Sequence, residues 1–160
     1  MSFRPAAIAA AAAILCLSSA GSAQVLTQRD VSLRMALTIA EAAIAECGLN
    51  ASVAVVDRAG RLRVFLQGDN ANPHNIELAR RKAYTARTFR RPSLEWAQQT
   101  KDGADLAGQR QLADVIPLGG GVPINVGNDT IGAVGVSGSS QTGDEACAKA
   151  GVAKVADQLK

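Results

Sequence analysis

Three groups of residues in this 160-residue chain have side chains or backbone suited to chemistry. The first is His74, the only histidine. One histidine with no Cys or carboxylate cluster at ligand spacing does not make a zinc site, and it does not make a Ser-His-Asp arrangement. A single neutral imidazole is sufficient to ligate a haem iron axially. The alternative is an exposed loop histidine beside Pro73. The second group is a run of cations, Arg80, Arg81, Lys82, Arg87, Arg90 and Arg91. Lys82 lies on the flank of an apolar stripe and is the candidate pocket-facing cation. Arg90 is a further candidate partner for a carboxylate, and the remaining arginines read equally well as a solvated face. The third group is Gly119, Gly120 and Gly121, whose backbone N–H groups suit an anion or whose freedom suits a plain turn. Asp57, at the end of a strand, reads as a turn stabiliser.

These residues need a scaffold, and the hydrophobic pattern supplies one. Residues 26–46 read as a helix, with Leu33, Leu37, Ala40, Ile44 and Cys47 recurring at helical spacing. Residues 52–56 and 61–67 flank the turn Asp57-Arg58-Ala59-Gly60 and predict a β-hairpin. A polar loop carries His74. A second helix over 76–89 places Ile76, Ala79, Ala83 and Ala86 on one side, and Pro92 stops it. Ser93 is the expected N-cap of a short helix through Trp96. Residues 100–116 read as loop with some helical turns. Residues 122–126 and 130–137 form a second hairpin around Gly127-Asn128-Asp129. Thr142 and Glu145 form a capping-box pair for a last helix that buries Ala148, Val152, Val155 and Leu159. Paired hairpins imply an antiparallel sheet, so the expected class is α+β in one domain rather than a parallel nucleotide-binding fold.

The first 23 residues read as an address. Arg4 precedes an uncharged apolar run over 6–17, and Ser18, Ser19, Ala20, Gly21, Ser22 and Ala23 follow it. That is a secretory signal peptide, too short to span a bilayer, with cleavage expected after Ala23. The domain is then residues 24–160, exported to the periplasm or secreted, with no membrane span. Of the 17 Lys and Arg, only Arg4 lies in the leader, so the remainder is near neutral against 14 Asp and Glu. That balance, with 3% aromatic residues, disfavours a nucleic-acid binder. A hydrophobic fraction of 48% excludes a disordered chain. Cys16 leaves with the leader. Cys47 and Cys147 remain, and in an exported protein they form one disulfide or stay as two buried thiols.

Four segments together resemble the GlcG/HbpS-like haem-binding family, which includes the domain appended to PduO-type adenosyltransferases. They are Val55-Val56-Asp57-Arg58-Ala59-Gly60-Arg61-Leu62, then Ile76-Glu77-Leu78-Ala79-Arg80-Arg81-Lys82-Ala83-Tyr84-Thr85-Ala86, then Gly120-Gly121-Val122-Pro123-Ile124, and last Ile131-Gly132-Ala133-Val134-Gly135-Val136-Ser137-Gly138 followed by Asp144-Glu145. The resemblance covers about residues 26–159. It implies a compact α+β domain, homo-oligomers and haem as cofactor. The resulting expectation is an exported haem- or tetrapyrrole-binding protein without catalytic residues. His74 would meet iron, Lys82 or Arg90 would meet a carboxylate, and Gly119, Gly120 and Gly121 would permit close approach. The alternative is an enzyme or accessory factor acting on a small 2-hydroxy acid.

Overall fold

The computed structural model describes residues 24–160. The expected signal segment lies outside the described residues. In chain order the elements are α1 (Leu33–Cys47), β1 (Ser52–Asp57), β2 (Leu62–Gln67), α2 (Asn75–Phe89), α3 (Ser93–Gln99), β3 (Gly121–Val126), β4 (Asp129–Ser137) and α4 (Gln141–Ala153). Short 3₁₀ turns at Ala107–Gln111 and Ala156–Gln158 complete the set. The four strands form one sheet in the order β2-β1-β4-β3. Both hairpins are antiparallel, and β1 pairs antiparallel with β4 in the centre, Ser52 opposite Ser137 and Val55 opposite Val134. The α+β expectation therefore holds. Among the described residues no helix is long and apolar enough to cross a membrane.

Strand alternation gives the sheet two dry faces. Val53, Val55, Val134 and Val136 point to the α1 and α4 side, where Ile39, Ala43, Ala148 and Val155 meet them. Ala54, Val56 and Ala133 point to the opposite side, against Ala79, Ala83 and Ala86 of α2. On that second face almost every contact is through small residues, so α2 lies close on the sheet. Gly135 marks the closest approach, since a Cβ there would lie 2.1 Å from the Ala79 carbonyl oxygen. This seating fixes α2 relative to β4, and with it the position of Lys82.

Several local expectations are corrected. The first helix starts at Leu33 and not at residue 26, because the Ser32 hydroxyl accepts from the Met35 N–H as N-cap. Just before it, the Asp30 carboxylate holds the Val31 and Arg58 N–H groups and ties that segment to the first hairpin. The buried face of α1 is Ala36, Ile39, Ala40 and Ala43, while Leu33 and Leu37 are exposed. The reason is close helix packing: a Cβ at Gly151 on α4 would come within 2.6 Å of the Ile39 carbonyl oxygen. At that crossing Gly151 lies against Ile39 and Ala43, and the leucines lie on the outward side of the helix. At α3 the N-cap is Pro92. Ser93 instead donates to the Leu118 carbonyl at 2.7 Å and accepts from the Gly121 N–H at 2.8 Å. At α4 the cap is Ser140, accepting from the Gly143 N–H, and Glu145 turns inward to pair with Lys149 at 2.6 Å.

Cys47 at the end of α1 and Cys147 in α4 are bonded, with Cα atoms 5.7 Å apart. The bond joins two helices that share one face of the sheet and lie 100 residues apart in sequence.

Candidate functional site

The C-terminal end of β4 runs out between the starts of α2 and α4, and a cleft of ≈ 250 Å³ opens there. His74, Asn75, Leu78 and Lys82 reach it from α2 and its N-cap, following the three- and four-residue spacing of one helical face. Ser137, Gly138 and Ser139 form its floor, and Gln141 and Asp144 come from α4.

At the centre is a buried ion pair. Lys82 Nζ donates to Asp144 Oδ2 at 2.7 Å and to the Val136 carbonyl at 3.0 Å. The two side chains are 4% and 2% exposed. The other carboxylate oxygen, Asp144 Oδ1, accepts from the Ser139 N–H at 2.8 Å. A lysine ammonium has three N–H groups. Two are engaged, and the third belongs to a group that lines the cleft. Burying two charges is unfavourable unless they are paired and hydrogen-bonded, so such a pair in a cleft wall is a functional candidate. Asn75 is buried beside it, accepting from the Ser137 hydroxyl at 3.2 Å.

His74 is exposed at the N-cap of α2, and its side chain makes no capping hydrogen bond. It lies in the same cleft as Lys82, so the structure brings these two sequence candidates together. It does not bring in Arg90. That residue caps the other end of α2, a 15-residue helix about 22 Å long. The glycines lie behind the cleft rather than in it. Gly119 N–H donates to Gln141 Oε1 and Gly121 N–H to Ser93 Oγ, so these donors are engaged within the protein. Their role is clearance: a Cβ on Gly121 would lie 2.1 Å from the Lys82 carbonyl oxygen, and one on Gly120, where φ is +117°, 2.8 Å from Asp144 Cβ.

Most of the basic helix is also committed. Arg80 pairs with Glu77 at 2.9 Å and Asp114 at 2.7 Å, and these hydrogen bonds raise its pKa. Arg81 donates to the Val115 carbonyl. These two cations fasten the loop before β3 to α2. Asp57 accepts from the Ala59 and Arg61 N–H groups, the turn-stabilising role expected for it. Among the described residues no cluster of three or more His, Cys, Asp or Glu is placed to hold a metal ion.

Sequence reasoning missed the part played by Asp144. It stands 62 residues from Lys82, and a single sequence contains no spacing that links them. The available signal was indirect: a lysine on the flank of a buried alanine stripe requires a counter-charge.

Comparison with known proteins places the chain among relatives. Residues 31–153 match the family model described as haem degrading protein, HbpS-like. A 15.0 kDa protein of Citrobacter freundii, encoded in the dhaT-dhaS intergenic region, is 30% identical over 131 residues, which span 80% of this chain and 92% of that protein. A double mutant of Streptomyces reticuli HbpS superimposes with a TM-score of 0.74 at 33% identity, over 93% of this chain and 97% of the other. The PduOC haem complex superimposes with a TM-score of 0.72 at 26% identity, over 78% and 94%.

Proposed function

The chain belongs to the HbpS-like haem-degrading protein family, and from that premise we propose that it is an exported haem-binding protein using the cleft at the start of α2. The observation that carries the reading is the convergence of the only histidine with a buried Lys–Asp pair in one cleft. His74 would hold the iron, since its imidazole is exposed and free of a capping bond. The spare N–H of Lys82 and the side-chain amides of Gln141 and of Asn72, which also lines the cleft, would supply donors to a propionate. Bound haem supplies an iron centre and a visible chromophore.

Size decides how such a group fits. Clefts that enclose a drug-sized ligand run from ~300 to 1,000 Å³, and this one is ≈ 250 Å³. A macrocycle is therefore not swallowed by one protomer. The rest of the enclosure would have to come from a second copy of the chain. This supports the homo-oligomer expected from the resemblance. Ile76, 42% exposed on the first turn of α2, adds apolar surface beside His74.

The same size supports a second reading, a site for a small 2-hydroxy acid. A carboxylate with few other atoms fits within 250 Å³ and needs only the Lys82 donor and the polar wall. Titration with haemin, followed by its Soret band, separates the two. A saturable band supports haem. No band, with saturable binding of glycolate by calorimetry, replaces haem with the small acid. Export is checked by the N-terminus of the protein isolated from its host, expected at Gln24; a retained Met1 contradicts it.

A further inference from the structure

At the C-terminal end of α2, away from the cleft, three arginines lie together. Arg58, in the first hairpin turn, is anchored within the protein. Its backbone N–H donates to Asp30 Oδ1 at 2.9 Å, its Nε donates to the Arg29 carbonyl, and its guanidinium pairs with Asp129. Arg87 has no such anchors. Its Nε is buried with no hydrogen-bond partner, and among the described residues no carboxylate pairs with it. Arg90 is exposed, likewise without an ion-pair partner among the described residues, and has φ +56°. Glycine or asparagine is usual at such a left-handed helix cap, and an arginine there carries strain that glycine would not.

The fold thus bears two costs at one place, an unpartnered guanidinium nitrogen and a strained cationic cap. Burial, and then the charges of Arg58 and Arg90, lower the Arg87 pKa below its ordinary value, with Asp129 and Asp30 offsetting part of the effect. Asp129 is paired with the Arg58 guanidinium, and Asp30 accepts from the Val31 and Arg58 backbone N–H groups.

We propose that Arg87 and Arg90, braced by Arg58, form a binding site for a phosphate-type oxyanion, separate from the haem cleft. Guanidinium forks match phosphate oxygens in pairs, and a tetrahedral anion offers oxygens to donors arriving from several directions. Two uncommitted positive charges balance a phosphate dianion. Arg90 is exposed and Arg87 half-buried, so the same chemistry is met by free phosphate or by the phosphate of a lipid headgroup.

The test uses the purified protein in thermal melts against inorganic phosphate, with ionic strength held constant by chloride so that screening does not contribute. The melting temperature of the wild type should climb and level off as a single-site curve. Arg87→Leu should melt above the wild type without phosphate and need ~10- to 100-fold more phosphate for the same rise. Arg90→Gly, which relieves the backbone strain, should show the same weakening and covers the case in which Arg87→Leu fails to fold. A parallel arm measures co-sedimentation with phosphatidylglycerol vesicles. Binding there that both variants lose, with no response to inorganic phosphate, assigns the headgroup as source. A wild type that responds to neither probe overturns the proposal, as do variants that keep the wild-type phosphate response.

Discussion

Replacing Asp144 by asparagine keeps the side chain's size and removes its charge. In the wild type one carboxylate oxygen takes Lys82 Nζ at 2.7 Å and the other takes the Ser139 N–H at 2.8 Å. An amide has only one oxygen to offer. If that oxygen faces Lys82, the amide NH₂ faces the Ser139 N–H; if it faces Ser139, the NH₂ faces the ammonium. Either orientation sets donor against donor. The Lys82 and Asp144 side chains are 4% and 2% exposed, so water restores little of what is lost. Breaking a buried pair by removing one partner costs about 3 to 5 kcal/mol. For a domain of this size that is a fall in Tm of about 10 to 20 °C. The double variant Lys82→Met with Asp144→Leu removes both charges and should recover most of the loss, because apolar replacement of a buried pair is near neutral or stabilising. Circular dichroism melts of the three proteins read these effects. A single variant within about 1 kcal/mol of the wild type would refute the reasoning, as would a double variant no better than the single one.

Two further outcomes follow from the fold. Replacing Cys47 and Cys147 by alanine opens a loop of 100 residues; the stability loss should approach ~4.7 kcal/mol in urea denaturation, and an unchanged midpoint would contradict the bond's structural role. Gly135→Ala puts a methyl group 2.1 Å from the Ala79 carbonyl and 2.5 Å from the Ala83 nitrogen. It should destabilise by ~1 to 3 kcal/mol or more by lifting α2, and a wild-type melt would show that α2 does not lie as close as described.

The elements that place the site were legible because they are set by local pattern. The two hairpins announced themselves by strand-like runs flanking the turns Asp57-Arg58-Ala59-Gly60 and Gly127-Asn128-Asp129, and α2 by the spacing of Ala79, Ala83 and Ala86. The failures came where a partner distant in sequence decided the outcome. Leu33 and Leu37 look like a core stripe, yet Gly151 of α4 lies against Ile39 and Ala43, and the leucines lie on the outward side. Ser93 looks like a cap, but its hydroxyl is recruited by Leu118 and Gly121. In the site itself, His74 in the polar loop and Lys82 on the helix that follows it were readable as unusual residues. Their meeting with Asp144 depends on the β1–β4 pairing that joins the two hairpins. Arg90 looked like a member of the same site because it shares α2, but helix length places it at the opposite end.

In the proposed function, His74 would hold a haem iron at the mouth of the Lys82–Asp144 cleft. The most direct measurement is the visible spectrum and haemin affinity of the wild type beside His74→Ala. His74 is exposed and makes no capping bond, so the variant should fold and melt as the wild type does. If His74 holds the iron, loss of its imidazole nitrogen should shift the Soret and long-wavelength bands and weaken binding, because the ligand field at iron depends on that donor. An alanine variant whose haemin complex matches the wild type in both spectrum and affinity would contradict the assignment.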